Sequence, residues 1–223
     1  MRSSAKAVLL ACVLLMLAAC GPTGEDIVNQ RRADAEPKLK QIEELGAIAL
    51  KLEQEPEGIQ MPEGAKLRFR EGRNAALLQT EKFASGDAAR PSLDLIIEYG
   101  WLEEARSMLS QGAGDSHPDY VSGVFDALDS LEYLVLVRTR MYADPAITDS
   151  KMFSPGWWQA DVMVFVIKTG KCLGISAVEA TNSDEVDAKL TEPDKWLHSD
   201  LWGHARTAVN EALKACSESP ALG

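Results

Sequence analysis

Two of the chain's three histidines stand close together in a segment that also holds two aspartates: Asp194, His198, Asp200 and His204. On a helix, Asp194 with His198 and Asp200 with His204 are i, i+4 pairs that share a face, and imidazole with carboxylate is a donor set that zinc or copper accepts. These four are the candidate metal ligands. The competing expectation is that Thr191 to Asp194 opens one short helix and Ser199 with Asp200 opens the next, the carboxylates complementing the helix dipoles. A break there separates the two pairs and leaves the chain with no metal or cofactor.

Hydrolytic chemistry finds little to use. Neither Gly-x-Ser-x-Gly nor His-Glu-x-x-His occurs, and the one Ser-x-x-Lys spacing, Ser3 with Lys6, falls at the N-terminus. Gly174-Ile175-Ser176 lacks a second glycine, and acid pairs such as Glu103-Glu104 and Asp184-Glu185 are common in an acidic chain. No glycine-rich phosphate loop appears, so no catalytic residue is nominated.

The first residues read differently. Arg2 and Lys6 precede an unbroken apolar run from Ala7 to Leu17. A bilayer-spanning helix needs about 20 apolar residues, so this run fits a cleavable export signal instead. It ends in Leu17-Ala18-Ala19-Cys20-Gly21, which resembles the lipobox of bacterial lipoproteins: an aliphatic residue, two small residues and a cysteine. The resemblance implies cleavage before Cys20 and a covalent lipid on its thiol, with membrane attachment through the acyl chains. Leu9-Leu10-Ala11-Cys12 is a rival site, but its apolar run would span only Ala7 to Ala11, shorter than the roughly seven residues a signal requires. Gly21 stands where an aspartate would mark inner-membrane retention, so the resemblance favours the periplasmic side of the outer membrane in an organism that has one.

Removal of residues 1–19 takes away two basic side chains and no acid, leaving 21 basic against 34 acidic and a formal charge of −13. That balance argues against nucleic acid, which needs clustered lysine and arginine, and against anionic head groups. Two cysteines remain, Cys172 and Cys216, and an even pair in an exported domain predicts a disulfide. No Cys-x-x-Cys is present to suggest redox catalysis.

What remains, residues 25–223, fits a single α+β domain on a short tether, Gly21-Pro22-Thr23-Gly24, that reaches at most about 15 Å. A helical region is expected to about Glu55, with Pro37 starting a second helix or kinking a long one. Two short strands are expected around Leu67 to Phe69 and Ala75 to Leu78, flanking the turn Glu71-Gly72-Arg73-Asn74. Helices are expected over Leu102 to Leu109 and Tyr120 to Leu131, the latter capped by Asp119.

The C-terminal third is patterned most strongly. Tyr133 to Tyr142 predicts a strand, while Asp161 to Lys168 and Cys172 to Ala180 predict an antiparallel hairpin across Thr169-Gly170-Lys171. Both faces of the first hairpin arm are apolar, so that strand belongs at the sheet's centre. Leu201, Ala205, Ala208, Val209, Ala212, Leu213 and Cys216 form one helical stripe, capped by Ser199 or Asp200, and docking this helix on the sheet would bring Cys216 to Cys172. The order of elements resembles the small α+β domains of other exported lipoproteins, including penicillin-binding-protein activators and curli secretion lipoproteins, with no residue or activity carried over.

Trp157 and Trp158 are expected to be buried at the edge of the core, as are Trp101, Trp196 and Trp202. Exposed, Trp157 would instead offer a platform to a partner. Two functions stand against each other: a non-enzymatic envelope lipoprotein that binds or positions an envelope protein, and a periplasmic enzyme or small-ligand binder with a site near the C-terminal helix.

Overall fold

The computed structural model of the protein describes residues 21–69, 72–83, 100–149, 152–186 and 193–222. Cys12, Cys20 and the rest of the signal segment lie outside the described residues, as do Glu71, Thr191 and the side chain of Trp101. The architecture is α+β: four helices among the described residues, packed on a mostly antiparallel sheet.

The first helix, α1 (Gly24–Lys51), opens on a capping box: Thr23 Oγ1 accepts from the Asp26 amide, and the Asp26 carboxylate accepts from the Thr23 amide. It passes through Pro37 unbroken. Its buried stripe of Leu39, Ile42, Leu45 and Ala49 holds the helix in place where one backbone bond is missing. A strap over residues 52–57 then leads to β1 (Gly58–Ile59), and β2 (Ala75–Gln79) runs on into a 3-10 turn (Thr80–Phe83). Helices α2 (Gly100–Gln111) and α3 (Pro118–Asp129) follow, then β3 (Tyr133–Ala143), a small hairpin of β4 (Ala146–Asp149) and β5 (Met152–Ser154), β6 (Trp157–Val166), β7 (Cys172–Thr181) and α4 (Pro193–Leu213).

The main sheet has the order β1-β7-β6-β3-β2, with β2 parallel to β3 and the other pairs antiparallel. A parallel neighbour needs a crossover, and α2 with α3 supply it. The β6–β7 hairpin turns at Gly170, whose φ of +68° is the left-handed conformation expected of that glycine. One face of the sheet carries Leu134, Leu136, Met163, Phe165 and Ile175 against α1, α2 and α3. The other carries Val135, Val137, Trp158, Val162 and Val164 against α4. β6 is central with both faces covered, as its double apolar pattern requires.

Several expectations are corrected. Leu67 makes only an isolated bridge to Ser217, so the expected strand around Leu67 to Phe69 is absent; Ala75–Gln79 is a strand and pairs with β3, while the Asn74 and Ala75 amides donate back to the Arg68 carbonyl. The α3 N-cap is His117, whose Nδ1 accepts from the Asp119 amide. The expected break between Asp194 and Asp200 is absent: α4 is one helix, and Asp200 lies inside it. Cys172 and Cys216 are free thiols, not a disulfide. Cys172 pairs in register with Phe165 and packs on the α1–α3 side, whereas Cys216 belongs to the α4 side, so the sheet stands between them. Burial pushes both thiols up from the ordinary value.

Candidate functional site

β3 changes character midway. Tyr133 to Val137 are all buried, but from Arg138 onward the helices α1–α3 no longer cover the sheet. Arg138 stands in register with Asp161 of β6, and a bulge between Thr139 and Met141 turns Arg140 toward the same carboxylate. Arg138 donates through Nε and Nη2, and Arg140 through Nε, all to Asp161 Oδ2 at 3.2, 2.7 and 2.7 Å. Asp161 is fully buried, and its Oδ1 has no hydrogen-bond partner among the described residues. A lone buried carboxylate is costly, and the two guanidiniums are what make this one tolerable.

Arg138 also closes α1. Its Nη1 donates to the carbonyls of Ala49 and Leu52 at 2.9 and 2.7 Å, placing a cation on the helix end where carbonyls lack partners. Together the end of α1, residues 52–55 of the strap and Arg138 to Arg140 enclose a polar cleft of about 600 Å³.

Beyond the cleft no helix covers the same sheet face among the described residues. Met141 pairs with Gln159 and Ala143 with Trp157, so Met141 and Trp157 are diagonal neighbours, within reach of each other's side chains. Met141 is 53% exposed and Trp157 37%. The β4–β5 hairpin leaves from this end and adds exposed Ile147 and Met152. The expected burial of Trp157 is therefore corrected, while Trp158 is fully buried and donates from Nε1 to Thr139 Oγ1. Successive strand residues face opposite ways, and α4 covers only the face of Trp158. Trp196 is also exposed, and half-buried Trp202 lies 4.2 Å beneath the Arg206 guanidinium.

The metal candidates serve other purposes. His198 and His204 are six residues apart on a continuous helix, which places them on different faces. His198 Nδ1 meets the backbone carbonyl of Asp194, not its carboxylate, and Nε2 meets Asp144 at 3.0 Å. Asp144 also accepts from Tyr142. These contacts raise the His198 pKa, the Asp194 carbonyl most, and lower that of Asp144, the Tyr142 hydroxyl most.

His204 lies in a second cluster with Asp200 and Ser183. Serine, histidine and aspartate meet here, but a hydrolytic triad holds its histidine at Nδ1. Here Asp200 approaches Nε2 at 3.7 Å and also accepts from the Ser183 hydroxyl and amide. Burial pushes the Asp200 pKa up, and the bonds from Ser183 and Asn182 outweigh it and bring it down. Buried Asn182 completes a clamp, its Oδ1 accepting from the Gly156 amide and its Nδ2 donating to the Leu197 carbonyl. Among the described residues no group of three or more His, Cys, Asp or Glu side chains could hold a metal ion.

No family model matches the chain, and no curated protein matches it significantly. Among solved structures, the hypothetical protein CT253 from Chlamydia trachomatis is similar over 64% of this chain and 94% of its own, at 10% identity and a TM-score of 0.28. A likeness of that depth carries no argument.

Sequence reasoning missed the Arg138–Asp161–Arg140 centre. Its signal was available: arginines alternating at the end of one strand, and a lone acid beside an apolar strand. The sequence pattern starts the strand at Asp161, whereas β6 begins at Trp157 and Asp161 sits in its middle.

Proposed function

We propose that the chain is a lipid-anchored lipoprotein of the bacterial cell envelope, attached through Cys20, whose domain holds an envelope protein partner on the uncovered end of its sheet. The periplasmic side of an outer membrane is the favoured location. The observation that carries the partner reading is the exposed pair Trp157 and Met141 on a sheet face that no helix covers among the described residues. Contiguous exposed apolar surface of this kind marks interaction sites.

Position supports it as well. The tether enters at Thr23, where the Glu25 carboxylate accepts from the Ala113 amide, and α1 runs 28 residues, about 42 Å, to reach Arg138 at its other end. Trp157 opens β6 at the same sheet end that α1 reaches at Arg138, at the opposite end of α1 from the tether, which supports a reading in which the apolar face is offered away from the anchor.

A photo-crosslinking residue at position 157, introduced in the native host, is expected to give a discrete adduct that Met141→Ser abolishes. The same residue at position 120, which is exposed on α3 near the opposite end of α1, is expected to give none. Equal adducts at both positions overturn the partner reading. Cys20→Ala is expected to leave the precursor uncut, and a variant still processed at the normal rate and retained on membranes overturns the lipoprotein reading.

A further inference from the structure

We propose that the cleft between the end of α1 and the β3 bulge binds a small zwitterion of the α-amino-acid kind, its carboxylate held by Arg140 and its ammonium by Glu53 or Glu55. The cleft's volume, about 600 Å³, falls in the range of small-molecule sites. Leu50, Lys51, Leu52, Glu53, Gln54 and Glu55 form one wall and Arg138 to Arg140 the other, so its occupant is polar.

The two arginines are not equivalent. Arg138 uses Nε, Nη1 and Nη2 on protein acceptors, and its side chain is only 15% exposed. It builds the wall. Arg140 is tied through Nε alone, to a carboxylate that is itself fully buried, and 43% of its side chain is exposed. A guanidinium fixed at Nε keeps its two terminal nitrogens as a rigid fork, the geometry that takes a carboxylate through two parallel bonds. Among the described residues those two nitrogens have no hydrogen-bond partner.

Charge then selects among anions. Two guanidiniums share the Asp161 carboxylate, and Glu81 stands on the Thr139 amide beside them, so what this wall offers a ligand is the open Arg140 fork rather than a net charge. The facing wall holds two exposed acids, Glu53 and Glu55, against one exposed base, Lys51, so its balance is negative and opposes an ion that is negative on every side. A molecule that presents a carboxylate to one wall and an ammonium to the other satisfies both.

The test uses the full lipidated chain in detergent micelles, with NMR of the Arg140 Nε–H and the amides of residues 53–55. The probes are L-leucine, leucinamide, N-acetyl-L-leucine and inorganic phosphate. Leucine is expected to give a saturable shift, with leucinamide and N-acetyl-leucine each about tenfold weaker or worse, since each loses one charge-assisted contact. Arg140→Gln is expected to abolish the preference for leucine over leucinamide. Glu53→Gln with Glu55→Gln, both on the exposed strap, is expected to weaken leucine without weakening N-acetyl-leucine. No saturable shift with leucine up to its solubility, equal affinity for leucine and leucinamide, unchanged binding in the variants, or phosphate binding as tightly as leucine each overturns the proposal.

Discussion

The two halves of β3 and β6 obey different rules. In the first half, Tyr133 to Val137 and Val162 to Phe165, both faces are apolar and both are covered, by α1–α3 on one side and α4 on the other. In the second half, α4 still covers one face, but the other passes from a buried ion cluster at Arg138 and Asp161 to exposed Met141 and Trp157. Strands that continue past the helices that cover them contribute surface rather than core. The comparison teaches that burial, not strand length, divides the scaffold from the site.

Substitutions can break that division. Phe165→Ala removes a ring packed in the α1–α3 core and is expected to cost about 3–5 kcal/mol in chemical denaturation. Trp157→Ser, two turns of the pleat beyond the ion cluster, is expected to cost only about 1–2 kcal/mol, since the ring is partly exposed. Similar costs for the two would mean that the far end is core after all.

Asn182→Ala tests the clamp that seats α4 beneath the uncovered end. It leaves the buried Gly156 amide without its acceptor and removes the second donor to the Leu197 carbonyl and one to Asp200, and a loss of about 1–3 kcal/mol is expected in the same measurement. The smallest effect concerns pH. The raised His198 pKa means that its contribution is complete below about 6.5 and fades as pH rises through its higher folded value. The depressed Asp144 pKa means that its contribution is present above 3.8 and fades as pH falls through its lower folded value. Their contact is therefore strongest between these limits. Both groups are largely exposed, so it is worth only about 0–1 kcal/mol. NMR titration is expected to show the His198 midpoint falling in Asp144→Asn.

Legibility followed the same division. The β6–β7 hairpin, the central place of β6 and the stripe of Leu201, Ala205, Val209 and Leu213 could all be read from period and turn chemistry, because a buried face imposes its pattern on the sequence. The parallel pairing of β2 could not, since Ala75 to Gln79 carries the same apolar run whichever way its neighbour points. Nor could the sides taken by Cys172 and Cys216. A register shift between Val164 and Phe165 and a positive-φ Gly174 set the start of β7, and such bulges leave no period to read. Trp157 and Trp158 look alike as letters, yet only the end of helical cover decides which of them meets solvent.

The bridge between Leu67 and Ser217 bears on when the fold can close. The Leu67 amide donates to the Cys216 carbonyl at 2.8 Å, the Glu218 amide donates back to Leu67 at 3.0 Å, and Lys66 reaches the Ala215 carbonyl. β1 likewise waits for Gly174 and Ile175. Contacts so distant along the chain are formed late and slowly. A polypeptide emerging N-terminus first has no strand partner for Gly58 and Ile59 until β7 is out, and none for Leu67 until residues 216–218 are. The final turn therefore acts as a latch: it fixes residues 66–67 beside the end of α4 only once the last residues of the chain are available.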